Sequence, residues 1–342
     1  MRLLFHAPNV HTGGGLRLMQ DLFAVADRSM DWAQLDERVK NSVTLPSGME
    51  VHYVRKSLLS RLSAEWRLWR DAEARDIILS FNGLPPLFPV RSKTVVFLQN
   101  RLLIETGRLD KHPLTVRIRL TLERLWLLKI RWDRTRYVVQ TPSMAELLKR
   151  RLGAKVSVSV LPFAARQESN SAASGRGQRQ RRFDYVYVSS GDAHKNHRTL
   201  VQAWSLLAGS GVRPSLAVTL DAARHPDLCA EIAAASSAHD LKITNLGTLS
   251  RSDVQALYGE CGALIFPSTT ESFGLPLIEA AEAGLSILAP ELDYVRDVVE
   301  PVQTFDASSS RSIARAVLRH QGPGEPTVKV LTAAEFLAGV AL

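Results

Sequence analysis

The 342-residue sequence predicts an α/β protein built from two doubly wound domains, and three observations carry that prediction. Short apolar runs alternate with helical stretches through residues 1–163, a polar and basic stretch breaks the rhythm at 166–182, and the alternation starts afresh from 183 to 320. Strands that alternate with helices pair in parallel, because each helix returns the chain to the same end of the sheet. The domains are therefore set at 1–165 and 183–330, with a linker at 166–182 whose Gln, Ser, Gly and Arg residues have nothing to bury. A C-terminal segment at 331–342 remains, with a return to the first domain among its options.

The first domain opens with a strand at Leu3–Pro8, a loop from Asn9 to Gly15 and a helix at Leu16–Ala26. Gly13, Gly14 and Gly15 allow a ligand to approach the backbone at the helix terminus, although a triple glycine is commonly a plain turn. Strands follow at Asp76–Leu79, Thr94–Gln99, Tyr137–Gln140 and Val156–Leu161, with helices at Leu114–Asp133 and Ser143–Leu152. The second domain reads as strand Tyr185–Ser189, helix His197–Ala208, strand Ser215–Thr219, helix Pro226–Ser236, strand Lys242–Leu246 and helix Ser250–Glu260. An apolar strand at Ala263–Phe266, a helix opened by Gly274 and Pro276, a strand at Ser286–Ala289 and a helix near Ser308–Arg319 complete it. Ligands of such sheets lie at the carboxyl ends of the strands.

Composition is that of a globular protein, 45% hydrophobic, and no stretch approaches the roughly 18 uninterrupted apolar residues of a spanning helix. His6, Asn9 and His11 cut the first apolar run too short for a signal peptide, so a cytoplasmic location is expected. Cys229 and Cys261 lack metal-ligand spacing and read as small core residues in helical or helix-end segments.

The segment Phe266 to Ala280 carries the chemistry. It places Glu271 and Glu279 eight residues apart around a glycine turn that opens a helix, whose unpaired N–H groups attract a diphosphate. A ligand across that terminus can meet a carboxylate at each end, and both accept hydrogen bonds from hydroxyls. In its Pro-Ser-x-x-Glu-x-Phe-Gly-Leu-Pro setting this pair resembles the signature of the retaining nucleotide-sugar glycosyltransferases of family 4, of the glycosyl transferases group 1 and the GT-B fold. The resemblance implies two Rossmann-like domains facing a cleft. It also implies that Glu271 contacts the transferred sugar, that Ser272, Phe273, Gly274 and Leu275 reach sugar and diphosphate, and that Glu279 holds the ribose. Lys195-Asn196 matches the family's pair at a helix start, with Lys195 aimed at phosphate and Ser190 beside it. Gly247 and Leu249, in the segment Asn245 to Ser250, correspond to the base-flanking positions, while Ser250 itself reads as a helix cap.

One departure concerns phosphate: many relatives carry an arginine where this chain has Ser189 and Ser190. Another concerns the acceptor side, where Gln99-Asn100-Arg101 replaces a titratable pair and amides cannot serve as a general base. His11, Gln99 and Asn100 join Gly14 and Gly15 as first-domain candidates, and His6 reads as a packed core residue. The catalytic expectation rests on Glu271 and Lys195: a metal-independent, retaining transfer of a hexose from a nucleotide-diphosphate sugar to a glycan or lipid-linked acceptor of a bacterial surface polysaccharide of the O-antigen or capsule kind. No cofactor is expected. A sugar-nucleotide epimerase or phosphorylase of the same fold is the alternative, and a basic nucleic-acid- or membrane-binding protein a lower one.

Charge is unevenly spread, with 27 Lys/Arg against 15 Asp/Glu in residues 1–165 and 16 against 19 thereafter. The basic half points to a polyanionic partner. No helix-turn-helix, zinc or aromatic-platform signature accompanies it, so nucleic acid is not expected. Leu114–Arg134 sets Arg117, Arg124 and Arg131 on one helical stripe and Ile118, Leu122, Leu125 and Trp132 on another, and Leu58–Arg70 interleaves Arg61, Arg67 and Arg70 with Trp66 and Trp69. Peripheral attachment to an anionic membrane through the first domain is one reading. The other is that these apolar stripes pack against the sheet.

Overall fold

The computed structural model describes all residues except 1, 27–29, 31, 106–113, 165–180, 321–324, 327–329 and 342, so most of the expected linker lies outside the described residues. Two compact units result, Met1–Arg166 with Lys329–Leu342, and Gln167–Val328.

In the first unit the order is β1 (Leu3–Ala7), α1 (Gly13–Val25), β2 (Trp32–Asp36), β3 (Glu50–Val54), α2 (Leu58–Asp71), β4 (Ile77–Ser80), β5 (Lys93–Phe97), α3 (Leu114–Lys129), β6 (Thr135–Val139), α4 (Pro142–Leu152) and β7 (Val158–Val160). All seven strands pair in parallel in the order β3-β2-β1-β4-β5-β6-β7. The second unit holds β8 (Phe183–Tyr187), α5 (His197–Gly209), β9 (Leu216–Val218), α6 (Pro226–His239), β10 (Ile243–Asn245), α7 (Arg251–Gly259), β11 (Cys261–Ile265), α8 (Leu275–Glu282), β12 (Ser286–Pro290), α9 (Asp293–Arg296), β13 (Val299–Glu300), β14 (Gln303–Phe305), α10 (Ser310–Leu318) and β15 (Glu325–Pro326). Its parallel sheet runs β10-β9-β8-β11-β12-β14, and β13 pairs antiparallel with β15. The last helix, α11 (Ala333–Ala341), belongs to the first unit.

An aromatic ladder explains why α11 docks there. Phe23, Phe5, Phe81 and Phe97 follow one another at centroid distances of 5.0–5.1 Å, and Phe97 then meets Phe163 and Phe336, which stack at 4.1 Å. Such pairs contribute about 0.5–1.5 kcal/mol each beyond burial. Arg136 fixes the far end of α11 by donating to the carbonyls of Gly339 and Val340 at 2.7 and 3.0 Å.

Four features differ from the sequence expectation. The glycines expected in a loop form the first turn of α1, which starts at Gly13 with φ +65° instead of at Leu16. Strands β2 and β3 and helix α2 fill the region between residues 27 and 75, where no element was expected. Cys261 opens a buried strand, and burial pushes its thiol up to about 12. The apolar stripe of α3 does not pack on the sheet: Leu120 and Leu127 face inward, while Ile118, Leu122 and Leu125 are exposed.

Beneath α2 lies a buried polar network. Gln34 donates to the Ala64 carbonyl, which leaves its Oε1 to accept from His6 Nδ1 at 2.8 Å. His6 Nε2 lies 3.0 Å from Glu65 Oε1, and Leu87 N–H donates to Glu65 Oε2 at 2.9 Å. Burial alone would raise the Glu65 carboxyl, but His6, the Leu87 amide and Arg61 together hold it below its ordinary value. His6 is thus a core residue, as its sequence position suggests.

Candidate functional site

In the second unit the chain leaves β8 for β9 on one side and β11 for β12 on the other, so the β8 and β11 ends form the topological switch point where such sheets bind ligands. Both predicted motifs lie there. After β8 a single-turn helix at Ala193–Lys195 leads into α5 through Asn196, whose φ of 62° is left-handed. After β11 the chain turns through Pro267–Phe273 to Gly274, with φ 77°, and enters α8. A Cβ on Gly274 would stand 3.0 Å from Leu277 Cδ1, so space and backbone angle both select glycine.

The two loops are stitched together. His194 O accepts from Thr269 N–H at 2.8 Å and from the Ser268 and Thr269 hydroxyls. Tyr294 OH donates to Ser268 O at 2.7 Å and Tyr187 OH to Lys195 O at 2.7 Å, so buried rings fix the loops from below. With the backbones thus joined, Lys195 Nζ donates to Glu271 Oε1 at 2.6 Å, and the two side chains are only 16% and 12% exposed. Among the described residues no side chain caps the N-terminus of α8, but Pro276 has no N–H and Leu277 N–H donates to Gly274 O at 2.9 Å, so the unpaired N–H groups at this terminus are fewer than the sequence suggests.

Ser189 and Ser190, at the positions where the resemblance leads one to expect an arginine, are tied to a histidine. His197 Nε2 donates to Ser190 O at 2.9 Å and lies 3.0 Å from Ser189 Oγ, while its buried Nδ1 has no hydrogen-bond partner among the described residues. Burial drives this imidazole down to about 4, so it stands neutral with its proton on Nε2. Ser190 Oγ donates to Asp192 Oδ2 at 2.7 Å. Against the burial that would raise it, this bond and the nearby His194, Lys195 and His225 hold the Asp192 carboxyl below its ordinary value.

Asn196 is a correction to the expected ligand-contacting set. Its amide donates to Pro267 O at 3.1 Å and Ala307 O at 2.7 Å and accepts from Thr199 Oγ1 at 2.7 Å, so its hydrogen bonds are committed to bracing. Glu279, only 5% exposed, sits in the second turn of α8 with the Tyr258 hydroxyl 3.5 Å from its Oε2. Phe273 is buried, and Ser272 and Leu275 are half-buried. Gly247, φ 71°, has open space where a Cβ would stand, and Leu249 is half-buried two residues on. Ser250 caps α7 by accepting from Asp253 N–H at 3.2 Å.

Sequence reasoning missed two residues of this neighbourhood. Asn245 latches the loop after β9, accepting from Leu220 and Gly247 N–H and donating to Leu220 O. His225 lies flat on Gly191, where a Cβ would stand 2.5 Å from its ring, and only the Gly-Asp step after the serines hints at that approach.

The first-unit candidates gather at their own switch point, the ends of β1, β4 and β5. Gln99 donates to Phe81 O at 3.1 Å and its Oε1 lies against Gly15, where a Cβ would come within 3.1 Å. His11 Nδ1 lies 3.1 Å from Asn9 O and 4.0 Å from Asp36 Oδ2. Asn100, a candidate acceptor contact, caps the turn at Arg101–Leu103 by accepting from Leu102 N–H. Gly14 sits in the exposed first turn of α1.

Comparison with known proteins singles out the second unit. Residues 172–319, which contain the stitched loops, match the family model described as Glycosyl transferases group 1. The match lies within the second unit and covers less than half of the chain. Two serotype-specific mannosyltransferases WbdA of Escherichia coli are each 29% identical over 111 residues, 32% of this chain but only 14% and 13% of theirs, so the match spans about a seventh of those relatives. Among solved structures, HepE of Anabaena in complex with UDP and glucose superposes with a TM-score of 0.61 at 16% identity, over 92% of this chain and 88% of that one. WaaG, a glycosyltransferase involved in lipopolysaccharide biosynthesis, gives 0.63 at 16% over 93% and 90%, and sucrose-phosphate synthase of Thermosynechococcus elongatus 0.67 at 14% over 93% and 89%. At such identities the likeness establishes the fold: two Rossmann-like α/β units of the GT-B kind, of which the second carries the match to the group 1 model.

Proposed function

We propose that this chain is a retaining, metal-independent glycosyltransferase. It moves a hexose from a nucleoside-diphosphate sugar to a glycan or lipid-linked acceptor in the synthesis of a bacterial surface polysaccharide. The observation that carries the reading is the Lys195–Glu271 pair, 2.6 Å apart beside the uncapped start of α8 within the segment that matches the group 1 model. Charge of both signs at one switch point suits a ligand with hydroxyls at one end and a diphosphate at the other, and because Pro276 has no N–H and Leu277 N–H donates to Gly274 O, the phosphate charge falls mainly to Lys195.

In this reading the diphosphate lies on the α8 terminus and takes Lys195 as counter-charge, releasing Glu271 to accept from sugar hydroxyls. Glu279 accepts from the ribose, and Gly247 and Leu249 flank the base. As the bond from the anomeric carbon to the phosphate oxygen breaks, its electron pair stays with the nucleoside diphosphate, whose growing charge Lys195 stabilises. The acceptor hydroxyl attacks from the same face and passes its proton to the departing phosphate oxygen. Such a transfer requires no protein general base. The WbdA and WaaG likenesses favour a surface-polysaccharide setting.

A stability screen with UDP, GDP and their common hexose conjugates tests the reading, since a ligand specific to the folded state raises the unfolding midpoint with the logarithm of its excess. A selective shift with one nucleotide, followed by transfer that survives EDTA and retains anomeric configuration by NMR, is expected. No shift with any of them, or turnover to an epimer or sugar phosphate without an acceptor, would refute it.

A further inference from the structure

The faces of α2 and α3 that look away from the first sheet are apolar. On α2, Leu58 and Leu59 are 82% and 81% exposed, and Leu62, Trp66 and Trp69 share that outward arc, while Ala64, Glu65 and Leu68 face the sheet. On α3 the outward arc carries Leu114, Ile118, Leu122 and Leu125, with Leu114 67% and Leu122 60% exposed. An amphipathic helix ordinarily has one apolar arc, turned inward; α2 and α3 bury Leu68, and Leu120 with Leu127, and carry a second apolar arc outward.

The two faces form one surface. The connections from β3 to β4 and from β5 to β6 run the same way across a parallel sheet, so right-handed crossovers place α2 and α3 on the same side. They converge on one turn, where Leu87 N–H donates to Glu65 of α2, and Pro85 O accepts from Trp126 of α3. Arg61 of α2 also lies in the field of Glu123 and Arg119 of α3. The rim is basic: Arg55 and Lys56 precede α2, Arg117, Arg119 and Lys129 stand exposed on α3, and the Arg70 guanidinium sits 5.1 Å from the Trp66 ring.

We propose that this two-helix face docks the first unit on an anionic lipid bilayer, with leucines and tryptophans entering the headgroup boundary and the arginine and lysine rim meeting lipid phosphates. Exposed apolar patches bordered by charge mark interaction sites, and tryptophan beside cationic side chains is the composition of a helix lying in a membrane interface. Charge selects lipid over a second copy of the chain: a unit with 27 Lys/Arg against 15 Asp/Glu in residues 1–165 repels its own image and attracts an anionic surface. The inference gives the proposed transfer a lipid-borne acceptor and rests on that reading only in this respect.

Co-sedimentation of the full chain with vesicles of phosphatidylglycerol and phosphatidylcholine, and with phosphatidylcholine alone, tests it without donor or acceptor. Binding to the anionic vesicles is expected at low salt. It should weaken more than tenfold in the triple variant Leu58→Ser, Leu62→Ser, Trp66→Ser and several-fold in Lys56→Glu with Arg117→Glu, which keeps the test alive if the first variant fails to fold. Both folded variants should retain the wild-type midpoint shift with nucleotide sugar, so lost adhesion with intact donor binding separates this inference from the proposed function. Wild type that ignores anionic vesicles at low salt overturns the inference. So do variants that bind them unchanged, or an apolar variant whose effect is to dissolve a dimer in sedimentation.

Discussion

The two switch points are built on the same plan and finished differently. After β8 and β11 the loops are bonded to each other through the His194 carbonyl, the Asn196 amide and the Lys195–Glu271 pair. After β1, β4 and β5 the side chains satisfy their own loops or the next one: Asn100 caps its own turn, His11 meets Asn9 O and Gln99 reaches Phe81 O. The first arrangement is preorganised around opposite charges; the second offers mainly backbone and amides. The difference teaches which half grips an invariant feature of a ligand and which is left open to variation, as expected if the donor is held by the second unit and the acceptor by the first.

Acid should separate the units most strongly. Below pH 6.5 an unfolded His197 takes a proton that the buried ring refuses until about 4, so its stabilisation is complete above 6.5 and disappears as the pH falls toward 4. That shift amounts to roughly 3 kcal/mol. Urea unfolding at pH 7 and 4.5 should show the second unit losing stability, and His197→Gln should flatten the loss. Glu65, held below 4.5, favours the fold of the first unit above that value and stops doing so only as the pH drops through its lowered folded value. Glu65→Gln should therefore remove that contribution, read as a smaller loss of stability as the pH falls below 4.5.

Next in size is Glu271→Ala. Removing a charged hydrogen-bonding partner costs about 1.5–3 kcal/mol, hence about a 10- to 100-fold fall in kcat/KM for transfer. Gly274→Ala should cost about 1–2 kcal/mol of stability from the left-handed backbone alone, with donor affinity falling as the α8 terminus shifts; thermal melts and titration read both. Gln99→Ala, at the other switch point, should change kcat/KM by less than about 1 kcal/mol, under tenfold, through loss of one neutral hydrogen bond. An effect of Gln99→Ala as large as that of Glu271→Ala would erase the contrast between the units.

Much of the second unit could be read from sequence because its central strands are apolar runs, such as residues 263–265 of β11, and α7 starts at a recognisable cap. The first unit hid elements for identifiable reasons. Strand β2 carries buried Gln34 and Asp36, acceptable only because His6 and Ala64 satisfy one and Arg38 the other, and no local pattern announces those partners. Helix α2 turns Glu65 inward and its tryptophans outward, and α11 is held by phenylalanines far away in sequence. At the site, the motif named Lys195, Gly274 and Glu271 from their neighbours along the chain. The 2.6 Å pair and the bracing role of Asn196 depend on loops meeting across two strands, which spacing alone does not encode.

The most direct test is calorimetric titration of wild type and Glu271→Gln with the selected nucleoside diphosphate and with its sugar conjugate. The account predicts that the variant binds the nucleoside diphosphate as wild type does and loses about tenfold or more in affinity for the sugar conjugate. Equal affinities of both proteins for the sugar conjugate would contradict the claim that Glu271, released from Lys195, holds the transferred sugar.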